Sequence, residues 1–161
     1  MLVKPGAMLG LLGGGQLGRM FTKAAQRLGY QVTVLDPAPE SPAGRVADHF
    51  ICADYADHHA LLKLSSDCVA ITTEFENIPA GSLKKLAETC VVSPDAHGVS
   101  IAQNRISEKK FLVENNFSVV PFAIIDSTDR RVKINYTDLL PGILKVSQFG
   151  YDGKGQRHVS S

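Results

Sequence analysis

Apolar residues along this chain switch between two spacings, and the switches predict its elements. Ala7 to Leu12 is a short apolar run that meets Gly13-Gly14-Gly15. From Gln16 to Leu28 the apolar positions fall at helical spacing: Leu17, Met20, Phe21, Ala24, Ala25 and Leu28. Gly29 then ends the helix, because glycine enters the left-handed region without strain. Gln31 to Leu35 is a second strand, closed by Asp36-Pro37. Strand, glycine turn, helix and strand make a βαβ unit, which requires a parallel sheet.

Asp36 to Arg45 holds three prolines, a glycine and a serine, and is loop. His49 to Ala53 follows as a third strand, Asp57 to Ser65 as a short helix and Cys68 to Thr72 as a fourth strand. Pro79 suits the first turn of a helix running to Glu88, and Cys90 to Val92 is a short fifth strand. Ser93-Pro94-Asp95 opens a helical stretch through Ala102. Ser107 is placed to cap the next helix, with Phe111, Leu112 and Phe117 on its apolar side. Val119 to Ile125 predicts a strand at an edge or bend, because it contains Pro121. Gly142 to Val146 is a further strand, apolar enough to be buried, and Arg157 to Val159 can pair back onto it. The prediction is an α/β chain: a Rossmann-like parallel-sheet domain over residues 1–104, then an incomplete α+β piece over 105–161.

Composition narrows the classes. A chain of 161 residues, 44% hydrophobic, holds one domain or one domain and part of another. A net charge of +1 gives no electrostatic reason to expect nucleic acid or an anionic membrane as partner. The N-terminus lacks a signal-peptide layout, and no run approaches the ~18–20 apolar residues of a membrane span. A soluble, cytoplasmic protein is expected. Cys52, Cys68 and Cys90 each lie in or beside an apolar run without a CxxC pair, which predicts reduced, buried thiols. The five histidines show no metal-ligand spacing, so no metal ligand is assigned.

Three places carry candidate chemistry. Gly13-Gly14-Gly15-Gln16-Leu17-Gly18 is a GxGxxG run directly after a strand, and Asp36 ends the second strand. That is the outline of a dinucleotide fingerprint: a helix N-terminus for phosphate and an acid for a ribose hydroxyl. The run is equally compatible with another phosphate-bearing ligand, or with tight packing alone. Glu74 and Glu76 flank Phe75 at the carboxyl end of the fourth strand and point the same way, suited to hydroxyls or an amine. Lys145 follows Gly142-Ile143-Leu144, and Gly150-Tyr151-Asp152-Gly153-Lys154-Gly155-Gln156 comes shortly after it. Glycine-flanked amides and a lysine suit phosphate. The run lacks Walker A spacing, and a hairpin turn on Asp152-Gly153 is the plain alternative.

These runs together resemble the N5-carboxyaminoimidazole ribonucleotide synthetase family, the ATP-grasp carboxylases of bacterial and fungal purine synthesis. The matching segments are Gly13 to Met20, Thr73-Glu74-Phe75-Glu76-Asn77-Ile78-Pro79, Ser93-Pro94, Asn104-Arg105, Lys109-Lys110-Phe111-Leu112, Leu144-Lys145 and Gly150 to Gln156. The resemblance implies a pre-ATP-grasp domain followed by the start of an ATP-grasp domain. It implies that ATP phosphorylates bicarbonate to carboxyphosphate and that the carboxyl group passes to 5-aminoimidazole ribonucleotide. Gln16 and Leu17 then touch the ribonucleotide, Glu74 and more weakly Glu76 bind its ribose or amine, and Tyr151 meets substrate. Arg105 and Lys145 contact ATP. Gly150, Tyr151, Asp152, Gly153, Lys154, Gly155 and Gln156 form the cover over its phosphates, with Asp152 and Lys154 as catalytic candidates and Asp152 as a proton acceptor. A cover that excludes water suits an intermediate that water hydrolyses.

One departure from the family pattern is Val146-Ser147-Gln148-Phe149, where an arginine or threonine and an extra glycine are common; it lowers the charge of the loop. The family's acidic Mg2+ ligands and adenine pocket fall downstream of residue 161. The chain is therefore expected to be an N-terminal portion, homodimeric when full length and inactive alone. The other readings are an NAD(P)-binding Rossmann module and a non-catalytic domain of a split gene.

Overall fold

The computed structural model of the chain describes residues 2–125, 137–150 and 153–160. Two compact units are present, Met1–Ser100 and Ile101–Ser161. The first contains β1 (Met8–Leu12), α1 (Gln16–Arg27), β2 (Gln31–Asp36), β3 (His49–Cys52), α2 (His58–Asp67), β4 (Ala70–Thr73), α3 (Ala80–Leu86) and β5 (Val91–Val92). The helix α4 (Ala96–Ala102) follows.

All five strands are parallel and lie in the order β3-β2-β1-β4-β5. Neighbouring residues of a strand face opposite sides of the sheet, so a sheet covered on both faces needs unbroken apolar strands. The strands obey this. Leu11, Val32 and Val34 pack with Ala25 of α1 and with Ala43 on one face. Leu12, Leu35 and Ile71 pack with Leu61 and Leu64 of α2 and with Leu83 and Leu86 of α3 on the other. Gly29 stops α1 at a φ of 83°, as its position predicts.

The strand order fixes where a ligand can sit. The chain builds from β1 outward through β2 and β3, then returns to the far side of β1 for β4 and β5. The reversal lies between β1 and β4. In open parallel sheets ligands bind at such a reversal, beyond the carboxyl ends of the strands, because the connections there leave toward opposite faces. Those two ends carry Gly13-Gly14-Gly15 and Glu74.

The second unit holds α5 (Arg105–Glu114), β6 (Gly142–Lys145) and β7 (Gln156–Val159). The two strands pair antiparallel, from Gly142 opposite Val159 to Lys145 opposite Gln156. The expected return strand is therefore present. Three expectations fail here. Asn104, not Ser107, caps α5: its Oδ1 accepts from the Ile106 and Ser107 amides at 2.9 and 3.1 Å. Val119 to Ile125 forms no strand, since Pro121 has no amide for a ladder and no described strand lies beside it. Lys109 Nζ instead sits 5.5 Å from the Phe122 ring centre, tying that segment to α5 by a cation–π contact. The β6 strand is also not buried, with Ile143 and Leu144 each 49% exposed.

The thiols divide. Cys68 is buried, Cys90 half-buried and Cys52 exposed, so the expectation of three buried cysteines fails at Cys52, on the edge strand β3. Among the described residues, no helix is long and apolar enough to cross a membrane.

Candidate functional site

The glycine turn is a receptor for carboxylates supplied by the chain itself. The Gly14 amide donates to Asp36 Oδ2 at 2.7 Å, and the Gly15 amide donates to Glu74 Oε1 at 2.9 Å. Backbone bonds fix the frame: the Gly13 amide reaches the Leu35 carbonyl and the Glu74 amide the Leu12 carbonyl, both at 3.1 Å. Thr73 Oγ1 lies 3.1 Å from the carbonyls of both Leu12 and Phe75, joining the ends of β1 and β4.

Each glycine of the spaced motif has a reason on the page. Gly13 has a φ of 105°, a region that side chains rarely enter. A Cβ on Gly15 would lie 2.9 Å from Glu74 Oε1, and one on Gly18 would lie 2.7 Å from the Gly13 carbonyl oxygen. In dinucleotide folds the middle glycine admits a pyrophosphate; here it admits Glu74.

Asp36 differs from a ribose-binding acid. It is only 8% exposed, and both of its oxygens are engaged. Oδ2 accepts from the Gly14 amide and, at 2.6 Å, from the Tyr55 hydroxyl; Oδ1 accepts from the Ala38 amide at 2.8 Å. Burial, and next the bond to Asp36, hold the Tyr55 hydroxyl well above the usual phenol range, so it stays protonated and donating. The Tyr55 ring also packs on Phe75, with centroids 5.9 Å apart. Ser41 completes the wall: a Cβ on Gly14 would lie 2.5 Å from its Oγ. Sequence reasoning passed over Tyr55 and Ser41, although a lone aromatic in the polar run Asp54-Tyr55-Ala56-Asp57 was a visible signal.

The turn continues into an open helix end. The first residue before α1 is Gly15, which offers no side-chain cap, and the first turn holds no acid. Gln16 and Leu17 are exposed there, Leu17 at 64%. The positive end of a 12-residue helix is thus presented beside the Glu74 carboxylate. Glu74 is half-buried and Glu76 exposed, consistent with different environments for the two acids.

The second unit gathers the remaining candidates around β6. The Arg105 amide donates to the Ser147 carbonyl at 2.8 Å, which brings the start of α5 to the loop after Lys145. The Val146 amide donates to the Gly155 carbonyl at 2.9 Å and closes that loop at its base. Gly153 and Gly155 have φ values of 79° and 68°, and a Cβ on Gly155 would also meet Val146 Cγ2. The connection between the two strands runs from Val146 to Gly155, and the alternative of a hairpin turn on Asp152-Gly153 rests in part on Asp152, which lies outside the described residues. Lys145, Gly150, Lys154 and Gln156 are exposed along it, as is the Arg105 side chain. Tyr151 and Asp152 lie outside the described residues. No group of three or more His, Cys, Asp or Glu side chains is arranged to hold a metal ion among the described residues.

Comparison with known proteins gives a consistent answer. Residues 7–103 match the family model described as the ribonucleotide synthetase preATP-grasp domain. The chain is 42% identical over 159 residues to N5-carboxyaminoimidazole ribonucleotide synthase of Brucella melitensis, covering 99% of this chain and 44% of that protein. Among solved structures, N5-carboxyaminoimidazole synthetase of Staphylococcus aureus with ADP superposes with a TM-score of 0.89 at 41% identity, over 99% of this chain and 43% of that one. The Aspergillus clavatus synthase with ADP and 5-aminoimidazole ribonucleotide superposes with a TM-score of 0.78 at 28% identity, over 96% of this chain and 41% of that one. The chain thus spans less than half the length of each.

Proposed function

The chain belongs to the ribonucleotide synthetase preATP-grasp family, and on that premise we propose that it supplies the ribonucleotide half of an N5-carboxyaminoimidazole ribonucleotide synthetase. The complete protein would use ATP to activate bicarbonate and carboxylate the amine of 5-aminoimidazole ribonucleotide, an ATP-grasp ligase reaction of purine synthesis.

One observation carries this reading over a nicotinamide site: Glu74, not a vacant pair of amides, faces the glycine turn. A pyrophosphate there would meet a carboxylate at van der Waals distance. A ribose hydroxyl or an amine would instead donate to it. Asp36 is buried and already accepts three hydrogen bonds from the chain itself, which argues against its serving as the ribose acid of a dinucleotide site. The open first turn of α1 at Gln16 and Leu17 suits the single phosphate of a ribonucleotide. Glu76 is a secondary contact.

Arg105 and Lys145 are proposed to face ATP, and the loop from Gly150 to Gln156 to cover its phosphates. The amide ties at Ser147 and Gly155 support this, because they hold the two cations and the loop base on one frame. Within that loop Tyr151 would meet substrate, Asp152 would accept a proton and Lys154 would neutralise developing charge. The family resemblance extends the proposal to a Mg2+-dependent, cytoplasmic homodimer. The described residues offer no Mg2+ cluster, so no step of the chemistry is assigned through the metal to this chain.

The test is ADP release by the complete protein that carries this chain. Release that requires both bicarbonate and 5-aminoimidazole ribonucleotide is expected. Release that ignores the ribonucleotide, or tight binding of NADH, contradicts the proposal.

A further inference from the structure

We infer that Tyr55 is a positioning residue that holds the ligand-facing carboxylate of Glu74 and the glycine turn in one fixed geometry. The inference rests on the reading of Glu74 as the acid that faces the ribonucleotide.

A closed circuit of contacts supports it. The Tyr55 hydroxyl and the Gly14 amide share Asp36 Oδ2, at 2.6 and 2.7 Å. The Tyr55 ring meets Phe75, the residue after Glu74. Glu74 in turn takes the Gly15 amide at 2.9 Å. The circuit therefore leaves the turn at Gly14 and returns to it at Gly15, passing through residues from four separate segments. Tyr55 is the one member that touches both branches, through its hydroxyl on one side and its ring on the other.

The two branches have separable jobs. The hydroxyl bond fixes Asp36 and through it Gly14. The ring fixes the Phe75 backbone, and so the direction from which Glu74 reaches Gly15. Without the ring, Phe75 keeps the bonds of its carbonyl to Thr73 Oγ1 and the Ile78 amide but loses its aromatic partner, and the Glu74 carboxylate gains freedom. A carboxylate held in place before the ligand arrives costs less to order on binding. Because the phenol stays protonated, this clamp is constant and not an acid or base in the reaction.

Amide hydrogen exchange of the ligand-free chain, read by NMR, separates the branches. Tyr55→Leu is expected to speed exchange at both Gly14 and Gly15 by about tenfold, the scale of one lost hydrogen bond. Tyr55→Phe is expected to restore protection at Gly15, through the ring, but not at Gly14. The amides of Leu11 and Val34 in the sheet core serve as the reference and stay slow. A general loss of stability moves all four together and overturns the inference, as does unchanged Gly15 exchange in Tyr55→Leu. If Tyr55→Leu does not fold, Tyr55→Phe alone decides, since unchanged Gly14 exchange refutes the hydroxyl branch. In calorimetry, Tyr55→Leu should weaken 5-aminoimidazole ribonucleotide binding about tenfold, with most of the loss recovered by Tyr55→Phe. If the wild-type chain binds no ribonucleotide, the functional reading fails while the exchange pattern still decides the role of Tyr55.

Discussion

Replacing Asp36 by asparagine separates a structural hub from a ribose ligand. Asp36 accepts three hydrogen bonds, from Gly14, Ala38 and Tyr55, and is 8% exposed. Asparagine keeps the shape but offers one oxygen and one amino group. With its oxygen at the Oδ2 position, the Gly14 and Tyr55 bonds survive but lose their charge, and the Ala38 amide faces an amino group. With the reverse orientation the buried Gly14 amide loses its acceptor. Charge-assisted bonds exceed neutral ones about twofold, and an unmade bond to a buried group costs about 1–3 kcal/mol. The expected loss is about 2 kcal/mol, which lowers the melting temperature of a unit of this size by roughly 8–16 °C. Circular dichroism melts of wild type and Asp36→Asn at pH 7 measure it. A melting temperature within about 2 °C of wild type would refute the hub, since neutral surface substitutions fall in that range. A nicotinamide site predicts the opposite pattern, with stability unchanged and NADH affinity reduced.

Other substitutions test the neighbouring contacts. Gly14→Ala places a Cβ 2.5 Å from Ser41 Oγ and 2.9 Å from Asp36 Cβ, and should cost about 1–3 kcal/mol in denaturant titration. Asp48 straps the start of β2 to α1, taking the Val32 amide at 2.8 Å and Gln26 Nε2 at 3.0 Å. Burial raises its pKa, but these bonds outweigh it and leave the carboxyl below its ordinary value of 3.8. A depressed pKa contributes stability above the unfolded value and loses it as pH falls through the folded value. Wild type should therefore exceed Asp48→Asn in denaturation midpoint at pH 6, with the gap closing below pH 3.8; a gap constant with pH counts against the strap. Burial pushes the Cys68 thiol up to about 11, so at pH 8 only about one molecule in a thousand carries its thiolate. Ellman's reagent should label the exposed Cys52 quickly and Cys68 only on unfolding; rapid labelling of Cys68 would mean that the core opens.

Local signals carried the first unit well. The runs at Ala7–Leu12 and Gln31–Leu35 are strands because both faces of the sheet are covered, and Gly29 marks the end of α1 where it stands. The carboxyl-end placement of the glycine turn and Glu74 also followed from chain order alone. What the sequence hid is non-local. Asp36 has the position of a ribose-binding acid, yet its role is decided by Tyr55, 19 residues away, and by the Gly14 amide, 22 residues away. Nothing in a hydrophobic pattern records such partners. The second unit misled for a related reason. Ile143 and Leu144 have the composition of a buried strand, but burial depends on what packs across them. Asn104 and Ser107 are both good cap residues three positions apart, and spacing alone does not choose between them.

Calorimetric titration of the chain with 5-aminoimidazole ribonucleotide, run beside NADH, tests the central claim most directly. Binding of the ribonucleotide that falls at least about tenfold in Glu74→Gln, as expected for loss of a charge-assisted bond, together with no heat from NADH, is the predicted result. Saturable NADH binding with none of the ribonucleotide would contradict it.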